Sequence, residues 1–220
     1  MKNTKIDWCN STVNPIMGCP NNCEYCYARK INKRFKYIED WCKPQFFPKR
    51  LKDFYSKKPK SIFIDSMSDI GTWEQYWFNS VMDAINANPQ HRYIALTKRY
   101  ARYCELARRA NVGVIKNLYI GMSVTTQAQL EKATDQVDFY SIEPLLEPLD
   151  IPFEMNLPRT LIIGAETGNR KGKVIPKKEW IDEIVKCADE RNCIVFMKES
   201  LRKIMGDDFR QDKLLWEIER

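Results

Sequence analysis

The chain has 220 residues, with 36 Lys and Arg against 29 Asp and Glu for a net charge of +7; 44% of it is hydrophobic and 12% aromatic, with eight Cys and one His. That length and apolar content can bury a core unaided, which excludes a disordered chain and a miniprotein held by disulfides. No stretch approaches the run of about 18–20 apolar residues that spans a bilayer, and Met1-Lys2-Asn3-Thr4-Lys5-Ile6-Asp7-Trp8 lacks the apolar segment of a secretory signal. A cytoplasmic protein with reduced cysteines is therefore expected, and any mechanism built on paired histidines has only His91 to draw on.

In chain order, a first strand is expected near Thr12–Met17, followed by a cysteine loop and a helix over Tyr25–Phe35, with Ala28, Ile31 and Phe35 at helical spacing. Short apolar runs follow at Ser61–Asp65, Tyr93–Leu96, Leu118–Met122, Phe139–Ile142, Leu161–Gly164 and Ile194–Met197. Amphipathic helices are expected between them at Glu74–Ala87, Ala101–Arg109, Gln127–Thr134 and Lys177–Arg191, with another from Arg202 to Arg220. Near-continuously apolar strands alternating with helices imply a parallel sheet covered on both faces. The repeat suits an α/β fold of the βα-barrel or partial-barrel kind rather than a sandwich, with about six or seven parallel strands, short of the full eight, in a single domain over 1–220. A doubly wound sheet is the alternative, but with 8 Gly in the whole chain there is no G-x-G-x-x-G or phosphate loop to support it.

The cysteines sort by spacing. Cys104, Cys187 and Cys193 fall in helical or strand patterns, where cysteine is usually a small core residue. Cys19-Pro20-Asn21-Asn22-Cys23-Glu24-Tyr25-Cys26 is different, because Pro-Asn-Asn is turn chemistry that lets three thiolates face one centre. Three chemistries could use such a loop. One is a 4Fe-4S cubane with three protein ligands and one open iron. Another is a closed zinc site in a non-catalytic nucleic-acid-binding module, with Cys9 as fourth ligand. The third is three thiols at coincidental spacing.

C-x-x-x-C-x-aromatic-C, with Tyr25 in the aromatic place, resembles the signature of the radical S-adenosylmethionine (radical SAM) superfamily. The flanks Thr12-Val13-Asn14-Pro15-Ile16-Met17-Gly18-Cys19 and Cys26-Tyr27-Ala28 resemble a phage and bacterial family of predicted radical SAM proteins, the three-Cys-motif family. The likeness continues at Asp65-Ser66-Met67-Ser68-Asp69, Leu96-Thr97-Lys98-Arg99, Ser141-Ile142-Glu143-Pro144-Leu145-Leu146 and Gly164-Ala165-Glu166-Thr167-Gly168. This resemblance implies an open partial barrel in which Cys19, Cys23 and Cys26 hold the cluster. S-adenosylmethionine would bind the open iron, and its reductive cleavage would yield a 5′-deoxyadenosyl radical. A small electron donor such as flavodoxin or ferredoxin is implied as partner. Tyr25 and Tyr27 would wall the adenine. Where many superfamily members carry Gly-Gly-Glu for the amino group, this chain has Asp65–Asp69, so Ser66, Ser68 and backbone carbonyls are the substitutes.

In barrel folds the chemistry sits at the C-terminal ends of the strands. Those ends supply Lys98, for a carboxylate or a phosphate, and Ser123 and Thr125, for ribose hydroxyls. They also supply Glu143, which precedes Pro144 and two leucines, together with Glu166 and Lys198.

The charge is uneven. Residues 29–60 hold twelve Lys and Arg against three acids, a net +9 that leaves −2 on the rest of the chain. Phe35, Tyr37, Trp41, Phe46, Phe47, Phe54 and Tyr55 interleave with these cations. Basic groups track phosphates and aromatic faces stack on bases, so the insertion at about 36–60 is the candidate contact for a nucleic-acid or nucleotide-like substrate. A solvated basic surface is the competing reading.

Overall fold

The computed structural model describes residues 4–111 and 113–218. In chain order the strands are β1 (Ser11–Thr12), β2 (Ile16–Met17), β3 (Gln45–Phe46), β4 (Ser61–Phe63), β5 (Arg92–Thr97), β6 (Leu118–Ser123), β7 (Phe139–Ile142), β8 (Thr160–Ile163) and β9 (Ile194–Met197). The α-helices are α1 (Tyr27–Phe35), α2 (Gln75–Asn86), α3 (Tyr100–Arg109), α4 (Gln127–Leu130), α5 (Lys178–Glu190), α6 (Arg202–Met205) and α7 (Leu215–Ile218). Seven parallel strands form one open sheet in the order β1-β4-β5-β6-β7-β8-β9. This is the expected α/β fold of partial-barrel type. The chain divides into two compact units, residues 1–120 and 121–220. No helix among the described residues is long and apolar enough to cross a membrane.

In the first unit the core gathers Ile62, Tyr93 and Ala95 from the strands, and Val13 and Ile64 just beyond β1 and β4, with Phe78, Val81, Met82 and Ile85 of α2. The α2 residues recur at the i, i+3, i+4, i+7 spacing of a helix with one buried face. In the second unit β7 and β8 are buried at every position, and Ile181, Ile184 and Ala188 of α5 are buried with them. Strands covered on both faces need apolar residues throughout, which is why these runs read as strands.

Three elements depart from the sequence expectation, and Cys104, expected as a small core residue, is exposed. The strand expected near Thr12–Met17 is two strands. β1 runs parallel to β4, while β2 leaves the sheet and pairs antiparallel with β3, Ile16 opposite Phe46. Asn14-Pro15 makes the break, because proline has no N–H to continue a ladder. The helix expected over Gln127–Thr134 is the single turn α4, with Glu147 Oε1 accepting from the Gln127 N–H at 2.6 Å. The helix expected from Arg202 to Arg220 is broken into α6, a 3-10 turn at Gly206–Asp208, an extended stretch and α7. That extended stretch lies against β9: Met197 N–H donates to Arg210 O at 2.9 Å, and Asp212 N–H to Val195 O at 3.0 Å.

Candidate functional site

The cysteine loop leaves the sheet through Gly18, whose φ is +107°. Gly18 N–H donates to Met67 O at 2.9 Å, and Cys19 N–H to Trp41 O at 2.8 Å. A side chain at 18 would meet Pro44 Cα at 2.8 Å and Trp41 O at 3.0 Å. Asn22 turns the chain with φ +51°. Cys26 then caps α1: its sulfur accepts from the Arg29 N–H at 3.3 Å, as a helix N-terminus favours an electron-rich group. The Arg29 guanidinium reaches back to Asn22 Oδ1 and to Cys23 O, the latter at 2.7 Å. Cys19 and Cys26 are half-buried, packed beside Met17, Ala28, Ile38, Trp41 and Met67.

Asn21, at the tip of the turn, ties the loop to the ends of two strands. Its amide donates to Asp69 Oδ2 at 2.7 Å and accepts from Arg99 Nε at 2.7 Å. Asp69 is buried and fully employed: Oδ1 also takes Gly71 N–H and Thr97 Oγ1, and Oδ2 takes Lys98 N–H. Asp65 is buried beside it and accepts from the N–H groups of Ile70 and Leu96. Burial, reinforced by Asp69, pushes its carboxyl well above the usual carboxylate range. These two carboxylates hold the loops after β4 and β5 together. Sequence reading does not find this role, nor that of Asn21, because each acts on groups distant in sequence: the carboxylates on the N–H groups of Leu96 and Lys98, Asn21 on the side chains of Asp69 and Arg99.

Tyr25 and Tyr27 flank the third cysteine. The Lys98 ammonium stands 5.8 Å from the centre of the Tyr25 ring, a cation–π distance. The Tyr27 hydroxyl donates to Ser66 O at 2.7 Å. Ser66 Oγ donates to Asn14 Oδ1, which also accepts from Met67 N–H. The Ser68 hydroxyl accepts from Trp73 Nε1. Ser66 therefore lies against the cysteine loop, whereas Ser68 turns to the indole of Trp73.

Cys19, Cys23 and Cys26 lie close enough to interact electrostatically. Burial pushes the Cys19 thiol up to about 12, and the charges of Asp69, Cys26 and Cys23 add to that. Burial likewise raises Cys26. Burial lowers Lys98, and the three thiols and Asp69 act in the opposite sense on it. The donor set suits an electron-deficient metal group: three sulfurs are presented by one turn, and metal binding takes the proton's place on each. Among the described residues no three Cys, His, Asp or Glu side chains are arranged to hold a single metal ion. Cys9 is placed elsewhere. Its neighbour Asn10 pairs with Ser61, the first residue of β4, while Asn14 and Gly18 pair with Ser66 and Met67 beyond the end of that strand.

In the second unit, Ser123 is half-buried at the end of β6. Thr125 is buried, with its N–H and hydroxyl both donating to Gln129 Oε1 at 2.7 and 3.0 Å. Glu143 at the end of β7 pairs with Lys198 at the end of β9. The pair crosses Gly164, which follows β8, where a side chain would meet Glu143 Cγ and Lys198 Cδ at 3.1 Å. Glu166 receives both Arg170 Nε and Nη2 at 2.7 Å, a bidentate pair closed within its own loop.

The basic segment divides in two. Its first part, Lys30 to Tyr37, ends α1, the helix capped by Cys26. Its second part, with Lys49, Lys52, Lys57 and Lys58, winds through a 3-10 helix at Pro48–Phe54. There Phe54 is buried against Tyr93, with ring centres 4.9 Å apart. Trp41 is buried too, and Arg50 is spent on Asn14 O and the Met17 sulfur. Of the seven aromatics expected as stacking surface, Trp41 and Phe54 are core, Phe46 and Phe47 are half-buried, and Phe35, Tyr37 and Tyr55 are exposed.

Residues 3–205 match the family model described as "Protein of unknown function (DUF5131)". The chain belongs to this family. No curated protein and no solved structure matches it. The matched span takes in the cysteine loop and every strand of the seven-stranded sheet.

Proposed function

We propose that this member of the DUF5131 family is a radical SAM-type enzyme acting on a nucleic-acid or nucleotide-like substrate. The observation that carries the reading is the presentation of Cys19, Cys23 and Cys26 by one braced turn at the C-terminal ends of β1 and β4. When bound there, a 4Fe-4S cluster would supply the electron that cleaves S-adenosylmethionine to methionine and a 5′-deoxyadenosyl radical. The chain's own residues have separate tasks. Gly18 admits the tight approach of the loop, and Asn21 with Asp69 fixes its height over the strand ends. Arg29 fixes the turn between Cys19 and Cys26. Lys98 offers a positive charge beside the thiols, suited to neutralising a polyanionic cluster or to meeting a carboxylate. Tyr25 and Tyr27 offer aromatic faces to an adenine, and Ser66 a hydroxyl beside them. A reduced flavodoxin or ferredoxin is the class of partner the chemistry asks for. Cleavage has to be shielded from water, which fits half-buried rather than exposed cysteines.

The test is anaerobic reconstitution with iron and sulfide. Wild type and Cys9→Ser should give brown protein that cleaves S-adenosylmethionine on reduction, while Cys19→Ser, Cys23→Ser and Cys26→Ser should each lose colour and cleavage. Colourless wild-type protein, or a Cys9→Ser variant that alone loses its metal, contradicts the proposal.

A further inference from the structure

Phe35 and Tyr37, at the end of α1, are 55% and 48% exposed, although their rings stack on each other with centres 5.8 Å apart and an interplanar angle of 28°. Large apolar side chains left in water side by side need a reason. The backbone that carries them is firmly held. Lys36 takes a left-handed conformation, φ +53°, and its N–H donates to Asn32 O at 2.7 Å, which ends the helix. The buried Asn32 side chain clamps the far side of the turn. Its amide donates to Ile38 O at 2.9 Å and accepts from the Ile38 N–H at 3.0 Å. Ile38 is buried in the cluster with Met17, Ala28, Trp41 and Met67. The two rings are thus fixed outward by a buried residue on either side.

The surroundings are predominantly positive, with Glu39 and Asp40 exposed just beyond Ile38. From Tyr27 to Ile38 there are Arg29, Lys30, Lys33, Arg34 and Lys36 and no acid. Lys30, Lys33, Arg34 and Lys36 are exposed, and the Arg34 guanidinium lies 5.1 Å from the centre of the Phe35 ring. Paired rings ringed by cations have the composition of a surface that stacks unpaired bases and tracks the phosphates between them. In a duplex the base faces are already stacked and out of reach.

We infer that the Phe35–Tyr37 platform binds single-stranded nucleic acid. The inference deepens the nucleic-acid reading above and rests on it for substrate class. It moves the contact from the insertion at 36–60 as a whole to the end of α1. A nine-residue helix is about 13 Å long, so the platform would anchor the strand roughly that far from Cys26 and leave a neighbouring nucleotide to reach the cysteine loop.

The experiment is fluorescence anisotropy with a fluorescein-labelled 20-mer of deoxythymidine and a 20-base-pair duplex, on the full-length reconstituted protein, with S-adenosylmethionine cleavage measured on the same wild-type preparation. The single strand should bind more tightly than the duplex. Phe35→Ala with Tyr37→Ala should weaken single-strand binding about tenfold or more, and Phe35→Trp with Tyr37→Trp should retain it. Lys33→Glu with Arg34→Glu should make the log–log salt dependence shallower, by about 0.7 for each phosphate no longer neutralised. Circular dichroism checks that each variant is folded. No single-strand binding by wild type, a preference for duplex, or binding that survives removal of both rings and vanishes on charge reversal at Lys57 and Lys58 overturns the inference. Tight, ring-dependent binding without cleavage supports the platform and removes the radical reading; cleavage without binding does the reverse.

Discussion

At the scale of single residues, the cysteine loop depends on one glycine. Gly18 holds φ +107°, and a Cβ on it would come within 3.0 Å of the backbone at Pro44 and Trp41. Main chain cannot swing aside as a flexible side chain can. Gly18→Ala is expected to lower stability by at least about 1–3 kcal/mol, read as a fall in the urea midpoint with the m-value unchanged. Iron loading should fall with it, because the N–H groups of Gly18 and Cys19 both anchor the loop. The three cysteines are legible by spacing alone, since their chemistry needs that spacing. Asn21, Asn32 and Asp69 are not. Asn21 and Asp69 are joined side chain to side chain across 48 positions, and a polar side chain whose partner is that distant leaves no local pattern.

At the scale of elements, the strands are legible nearly to their ends because burial on both faces demands apolar residues throughout. The elements that sequence misplaces are those whose place is set by backbone pairing rather than by apolar periodicity: β2, diverted by Asn14-Pro15 into pairing with β3, and the residues after Gly206, drawn out along β9. The 3-10 segment Pro48–Phe54 and its continuation to Lys60 are held by His91. The His91 Nε2–H donates to Phe54 O at 2.8 Å, and Nδ1 accepts from the Lys60 N–H at 3.2 Å. The second bond requires an unprotonated Nδ1. Burial lowers the His91 pKa below its ordinary 6.5, with the Lys60 charge acting in the same sense and the bond to Phe54 O opposing it. The folded pKa lies below the unfolded one, so the contribution is fully present above pH about 6.5 and is lost as pH falls below that value. Thermal unfolding from pH 7.5 to 5 should show a fall in Tm that His91→Gln flattens. A wild-type profile identical to that of the variant would count against this role.

At the scale of the whole molecule, an open parallel sheet has two edges that a closed barrel would not have. One is β1, only two residues long before the chain turns away. The other is β9, covered by residues 210–212, with Gln211 bridged to Phe196. Beyond that cover, Trp216 is buried with its ring 5.2 Å from that of Phe139 on β7. Trp216→Ala should cost about 3–5 kcal/mol, measured by urea unfolding. Ending the chain after Asp208 should remove both the cover and the tryptophan, and size-exclusion chromatography should then show aggregates. Elution of the shortened protein as wild type would refute the edge-cover role.

The alternation of strand and helix, the parallel sheet and the three clustered cysteines are all readable along the chain, because burial pattern and ligand spacing are local properties of it. The sequence also located the excess charge, +9 within residues 29–60. Only the tertiary structure decided which of those basic and aromatic residues face water. It buried Trp41 and Phe54, engaged Arg50 with Asn14 and Met17, and left Phe35 and Tyr37 exposed on a clamped turn. Exposure depends on what the rest of the chain packs against a residue, and no window of sequence contains that.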